Sequence, residues 1–130
     1  MAHKSQLNFF SIAIKHFQEK FSGKVIDIGA LDVNGGPHKL FKANEYVGVD
    51  LAAGPNVTLV GRGEDIDYPD KSFDVAMSSE CFEHNPNFAE TIVNMSRMTK
   101  DDGLLIFQLL ELVVESMEHL EAINNFQHLC

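Results

Sequence analysis

The sequence predicts an α/β fold: a mostly parallel sheet with helices on both faces. Three observations point there. Short β-branched runs alternate with amphipathic stretches of helical period. The runs are apolar almost throughout, as strands covered on both faces are. The first of them leads directly into a glycine-rich turn, Lys24-Val25-Ile26-Asp27-Ile28-Gly29-Ala30-Leu31-Asp32-Val33-Asn34-Gly35-Gly36. Glycines there let a ligand come close to the main chain. With 130 residues, 45% of them hydrophobic, the chain suits one domain spanning 1–130.

The elements follow in order. Leu7, Phe10, Ile14, Phe17 and Phe21 recur at spacings of three and four, which predicts one packing helix over Ser5–Phe21, closed by Ser22-Gly23. Val25, Ile26 and Ile28 form the first strand. Pro37–Lys42 reads as the start of a helix, with Pro37 in its first turn. Glu45–Asp50 is the second strand, with Tyr46, Val47 and Val49 as its apolar residues. Ala52-Ala53-Gly54-Pro55 is a turn, Val57–Val60 a short strand, and Gly61–Ser72 a loop. Phe73–Ser78 is a strand. A helix follows Asn85-Pro86-Asn87, with Phe88, Ile92, Met95 and Met98 as its apolar stripe. Lys100–Gly103 is a turn, Leu104–Leu110 the last strand, and Glu111–Leu129 a second amphipathic helix.

Charge and composition exclude several classes. The net charge of −9 is uneven: residues 1–60 carry six Lys and five Asp/Glu, residues 61–130 four Lys/Arg and fourteen Asp/Glu. An acidic balance of this kind argues against a nucleic-acid surface and is compatible with a solvated acidic face. No apolar run has the length of a membrane span, and Ser5–Lys20 lacks a signal-peptide pattern. Cys81 and Cys130 make neither a disulfide framework nor a metal pair. The expected setting is cytoplasmic, with no membrane and no nucleic acid as partner.

Candidate functional residues gather where strands end. Right-handed crossovers bring the strand-end loops to one sheet edge, where ligands of open α/β sheets bind. Asp27 breaks an apolar run at the exit of the first strand. Asp50 ends the second, 21 residues beyond Gly29. In nucleotide-binding βαβ units, an acid about 20 residues past the glycine loop holds ribose hydroxyls; the alternative is an aspartate capping a turn. The Arg62–Asp65 loop and Ser79–His84 reach the same edge. Glu83 and His84 are candidates for proton transfer, since imidazole titrates near neutrality; equally, they can cap the helix that follows. The remaining histidines show no ligand spacing, and no metal site is expected.

Taken together, several segments resemble class I S-adenosylmethionine-dependent methyltransferases, in the type 11-like branch. They are Val25–Ala30 with Asn34-Gly35-Gly36; Tyr46-Val47-Gly48-Val49-Asp50; Tyr68–Val75; Glu83-His84; and Met98 with Asp102–Ile106. They cover roughly residues 24–108, in the family's order. The resemblance implies a Rossmann-like fold and a cofactor-binding core over 24–110, between the N-terminal helix of 1–23 and the C-terminal helix of 111–130. It implies S-adenosylmethionine as cofactor, with S-adenosylhomocysteine as product, and a small-molecule methyl acceptor. It also implies roles by position. Asp27 helps hold the cofactor's ammonium through water, beside the backbone of Gly29 and Ala30. Asp50 binds the ribose, Leu51 packs on the adenine, Gly63 and Glu64 lie along the adenine edge, and Ser79 sits near the sulfonium. Arg62 departs from the family, which often has an acid there. No G-x-G-x-x-G is present, which disfavours a nicotinamide enzyme.

The C-terminus departs further, because the usual last two strands are lacking and the remaining residues read as helix. Three explanations stay open. The tail helix docks on the exposed edge, a second copy of the chain covers it as a homo-oligomer, or the chain is truncated or frame-altered. The alternative to an active methyltransferase is accordingly a non-catalytic cofactor-binding or interaction module.

Overall fold

The β-branched runs form the sheet that their pattern predicts. The computed structural model describes residues 4–32, 35–79, 86–109 and 112–113, with side chains over 7–32, 35–79 and 86–107. Two helices come first, α1 (Lys4–His16) and α2 (Gln18–Phe21), followed by β1 (Lys24–Ile28), β2 (Glu45–Asp50), β3 (Leu59–Val60) and β4 (Phe73–Ser78). Then come α3 (Phe88–Met98), β5 (Thr99–Leu109) and β6 (Leu112–Val113). The sheet order is β3-β2-β1-β4-β5-β6. The first five strands pair in parallel, and β6 pairs antiparallel to the end of β5. This is a Rossmann-like arrangement. The chain runs outward from β1 through β2 to β3, then returns to the other side of β1 for β4. The crevice between β1 and β4 is therefore the point where the winding reverses, which is where such sheets bind ligands.

Alternation along the strands divides the core between two faces. Val25, Val75, Met77, Leu104 and Ile106 pack under α1 and α2 with Phe10, Ala13, Ile14 and Phe21. Ile26, Ile28, Ala76, Leu105 and Phe107 pack under α3 with Phe88, Ile92, Met95 and Met98. The stripes seen in the sequence are thus the buried faces. Among the described residues, no helix is long and apolar enough to cross a membrane.

Five local expectations are corrected. The single N-terminal helix breaks at Phe17, whose φ of −117° and ψ of 40° leave the helical region while its ring packs on the core. The helix expected at Pro37 is only a 3-10 turn, Pro37–Leu40. Phe41 turns extended beyond it (φ −146°, ψ 167°) and packs against Phe21 and Tyr46. The Val57–Val60 strand shrinks to Leu59–Val60, because Thr58 turns to bond with Gly48. The turn expected at Lys100–Gly103 lies inside β5 as an irregularity: Phe73 pairs with Thr99, but Val75 pairs with Leu104. Finally, Leu112–Val113 is strand rather than helix. The open edge of β5 offers unpaired backbone groups, and pairing there outweighs the helical period. The rest of the expected C-terminal helix lies outside the described residues.

Candidate functional site

Asp27 is the centre of the site. Its neighbours along β1 are apolar and buried, and the register carries Asp27 in among them, only 2% exposed. A carboxylate in such a position needs donors. One is the Tyr46 hydroxyl, which donates to Asp27 Oδ2 at 2.7 Å. Asn56 Nδ2 donates in turn to the Tyr46 hydroxyl and to the Ala30 carbonyl, both at 2.8 Å. Burial, with the Asp27 carboxylate alongside, pushes the Tyr46 phenol well above its ordinary range. Tyr46 therefore keeps its proton and serves as a donor.

Gly48 makes this network possible. It pairs with Asp27 across the β1–β2 ladder. A Cβ at Gly48 would lie 2.1 Å from the Asn56 carbonyl oxygen and 3.1 Å from the Ala30 Cβ. The bare backbone lets the segment around Asn56 cross β2, where Thr58 exchanges hydrogen bonds with Gly48. Asn56 itself takes the left-handed conformation, φ 72°, which asparagine tolerates better than most residues.

Beyond β1 the chain turns at Gly29, whose φ is 81°. The N–H groups of Gly29 and Ala30 both donate to the Val49 carbonyl. These residues wall the cleft, but their donors are already used. Leu31 N–H donates to Asp50 Oδ2 at 3.0 Å, so Asp50 braces the loop from the end of β2. Asp50 Oδ1 has only a long contact with Ala52 N–H, at 3.4 Å. A carboxylate offers about four lone-pair sites, so Asp50 retains acceptors for a diol. Leu51 follows with 71% of its surface exposed, an apolar platform open to a ligand face.

The loop closes through two residues that the sequence reading left without a role. Asp32 Oδ1 accepts from Gly35 N–H at 2.5 Å, and Asp32 Oδ2 meets His38 Nε2 at 2.7 Å. The His38 hydrogen bond, together with the Gly35 N–H and Lys39, holds the Asp32 carboxyl below its usual range despite some desolvation. Asp27, Asp32, His38 and Ser79 all line the cleft so formed, with the loop backbone between them. Its free volume is about 20 Å³, room for about one water molecule.

The third side comes from the loop after β3. Gly61 N–H donates to the Asp50 carbonyl, which brings this loop over the sheet edge. Gly63 is buried, and a Cβ there would meet Ile28 and Thr91 below 3 Å. Glu64 was expected along the adenine edge. Its side chain turns to α3, accepting from Asn87 Nδ2 at 3.0 Å and Thr91 Oγ1 at 3.2 Å, which leaves that expectation to its backbone. Arg62 stands 63% exposed, 4.0 Å from Glu64. Asp27, Gly29, Ala30, Asp50, Leu51, Gly63 and Ser79 thus gather at one edge, with the Glu64 backbone next to Gly63 in a 3-10 turn. Glu83 and His84 lie outside the described residues. Among the described residues, no cluster of three or more His, Cys, Asp or Glu could hold a metal.

Sequence reasoning missed Tyr46, Asn56, Asp32 and His38. One signal was available: a glycine inside a strand, here Gly48, marks a close backbone approach.

The same fold occurs in solved structures. The YcgJ protein of Bacillus subtilis is 24% identical, with a TM-score of 0.62, and the match covers 81% of this chain and 50% of that one. A Burkholderia thailandensis 1,6-didemethyltoxoflavin N1-methyltransferase, solved with that compound and S-adenosylhomocysteine, is 18% identical (TM-score 0.62; 80% and 52% covered). A Haemonchus contortus phosphoethanolamine N-methyltransferase, solved with phosphomonomethylethanolamine and S-adenosylhomocysteine, is 20% identical (TM-score 0.61; 92% and 32% covered). The chain spans about half the length of the first two structures. Among curated proteins nothing matches. The model of the methyltransferase domain family matches residues 26–107. With that match covering well over half of its residues, the chain belongs to the methyltransferase domain family.

Proposed function

We propose that the chain binds S-adenosylmethionine across the ends of β1 and β2 and transfers its methyl group to a small-molecule acceptor. The observation that carries this is the pairing of two carboxylates in fixed positions. Asp27 is buried beside the loop, Asp50 is half-buried at the end of β2, and the Leu31 N–H ties Asp50 to the loop beside Asp27. The carboxylates of the cleft suit a cationic ligand. Asp27 faces the ammonium through a bridging water, for which the cleft has room. Asp50 accepts from the ribose hydroxyls with Oδ1 and the spare lone pairs of Oδ2. Leu51 supplies an apolar face for the adenine, and the Gly63–Glu64 backbone lies along its edge.

The cofactor supplies an already activated methyl group. The protein's part is to align the acceptor and exclude water, which can account for a large share of the rate. Ser79 stands at the end of β4, beside Asp27, where the reacting end of the ligand would lie. A base is required only where the acceptor must lose a proton, and Glu83 and His84 are assigned that role. Small-molecule acceptors in two structural neighbours support the acceptor class.

Calorimetric titration with S-adenosylmethionine and S-adenosylhomocysteine, with NAD as control, tests the proposal. Binding of the first two without NAD is expected. Asp50→Ala should weaken it by about 1.5–3 kcal/mol, the scale of a charge-assisted hydrogen bond. Unchanged affinity in that variant would remove Asp50 from the site. Binding without turnover against any acceptor would leave a cofactor-binding module.

A further inference from the structure

The ligand assigned above carries a carboxylate beside its ammonium, and Asp27 can serve only the ammonium. Resting on that assignment, we propose that His38 receives the carboxylate, with Asp32 as the positioning residue that holds the imidazole at the cleft.

Four observations support it. First, the side chains around the cleft include two carboxylates, Asp27 and Asp32, and one group able to carry positive charge, His38. A zwitterionic end needs a partner for each of its charges, and the imidazole on the same wall can supply a positive one when protonated. Second, the ring is held. Asp32 Oδ2 lies 2.7 Å from Nε2, while Oδ1 is fixed by the Gly35 N–H. An ionised carboxylate only accepts, so a hydrogen bond at this distance is donated by Nε2. Nδ1 is left as the ring's second polar atom, with no hydrogen bond to another described residue. A protonated imidazole donates from both nitrogens, one to Asp32 and one outward. Third, the ring is shielded: His38 is 19% exposed and Asp32 10%. An ionic contact there is screened less than one on the surface.

The fourth observation is the backbone that sets the geometry. Gly35 takes φ +89° although no atom lies within 4 Å of its Cβ position. The glycine is therefore required for conformation and not for space, and that conformation turns its N–H onto Asp32. At Gly36 a Cβ would come 3.2 Å from the His38 ring, so the ring lies directly on the backbone. The other charged or titratable groups facing His38 are accounted for. Lys39 approaches Asp32 at 3.7 Å but is 65% exposed. The Tyr46 ring lies 6.2 Å from the imidazole, with its hydroxyl committed to Asp27.

The alternative is that Asp32 and His38 only lock the loop. Paired ligands separate the two cases. S-adenosylmethionine and decarboxylated S-adenosylmethionine share the sulfonium and the ammonium, and only the first has the carboxylate. Both are titrated by calorimetry into the full chain. Wild type should prefer S-adenosylmethionine by about tenfold, the scale of one charge-assisted hydrogen bond. His38→Gln should abolish that preference by weakening S-adenosylmethionine alone. Asp32→Asn, which keeps a polar group against Gly35, should reduce the preference in the same direction and serves if His38→Gln does not fold. Equal weakening of both ligands in these variants would overturn the proposal in favour of a loop lock. So would a wild type that binds the two ligands equally well. Failure of wild type to bind either ligand would instead overturn the cofactor assignment itself.

Discussion

Replacing Tyr46 with Phe removes one oxygen and leaves the ring. The missing hydroxyl stands between Asn56 Nδ2 and Asp27 Oδ2, at 2.8 and 2.7 Å. Its bond to the carboxylate is charge-assisted, and such bonds contribute about 1.5–3 kcal/mol. Its bond from Asn56 is worth less, because the same Nδ2 also donates to the Ala30 carbonyl; about 0.5 kcal/mol is a fair share. The ring keeps its neighbours, with Phe41 at 6.1 Å and His38 at 6.2 Å between centroids. The expected loss is therefore about 2–3.5 kcal/mol of folding free energy, or a melting temperature lower by about 6–14 °C in a chain of this size. Urea unfolding of wild type, Tyr46→Phe, Asp27→Asn and the double variant measures it as a cycle. In the Asp27→Asn background the Tyr46→Phe cost should fall below about 1 kcal/mol, since no buried charge is then left short of a donor. An equal cost in both backgrounds would show that the loss is packing, and would refute the claim that Tyr46 holds Asp27.

Three further outcomes follow from the same contacts. Gly48→Ala sets a methyl 2.1 Å from a backbone oxygen, which cannot swing aside as a side chain can. It should cost at least about 2–3 kcal/mol, and a urea midpoint near wild type would show that the Asn56 segment does not cross β2 there. In alkali, the raised Tyr46 pKa means that the folded state favours the neutral phenol. Its contribution is intact below the unfolded value of about 10 and is lost as pH climbs above it. The stability gap between wild type and Tyr46→Phe should therefore narrow above about pH 10, and a gap that widens would reverse the sign. In acid, Asp74 behaves oppositely. Partial burial pushes its carboxyl up, but the Lys24 N–H and Lys100 outweigh that and hold it below the usual range. Its stabilisation is present above about pH 4 and is lost as pH falls, so Asp74→Asn should unfold with a shallower acid dependence. An unchanged slope would dismiss the Asp74 contacts as weak.

What the sequence made legible was whatever the topology fixes. Asp27 and Asp50 could be placed because each ends or nears the end of an apolar run, and parallel strands deliver their ends to one edge. Gly29 could be placed because a strand that turns at once needs its positive φ. The network around them was not legible, because its partners are set by loop geometry that has no period. Tyr46 counted as one more apolar strand residue, although its hydroxyl and not its ring reaches Asp27. Asn56 lies 10 residues beyond it in a turn, and only the crossing at Gly48 brings the two together. Asp32 and His38 are six apart, which is no helical or strand spacing, and they meet through the bend at Gly35. The β5 irregularity has the same origin. Lys100–Gly103 has the composition of a turn, and the chain does bulge there, but the backbone runs so close to β4 that a Cβ at Gly103 would come 2.9 Å from the Asp74 carbonyl oxygen, and pairing resumes at Leu104. At Leu112–Val113 the helical period was present and lost to an open sheet edge, since local propensity amounts to fractions of a kcal/mol per residue and a free ladder offers whole hydrogen bonds. Pattern therefore finds the charges that gather at the sheet edge, while the groups that hold those charges in place are found only by asking what a buried carboxylate must touch.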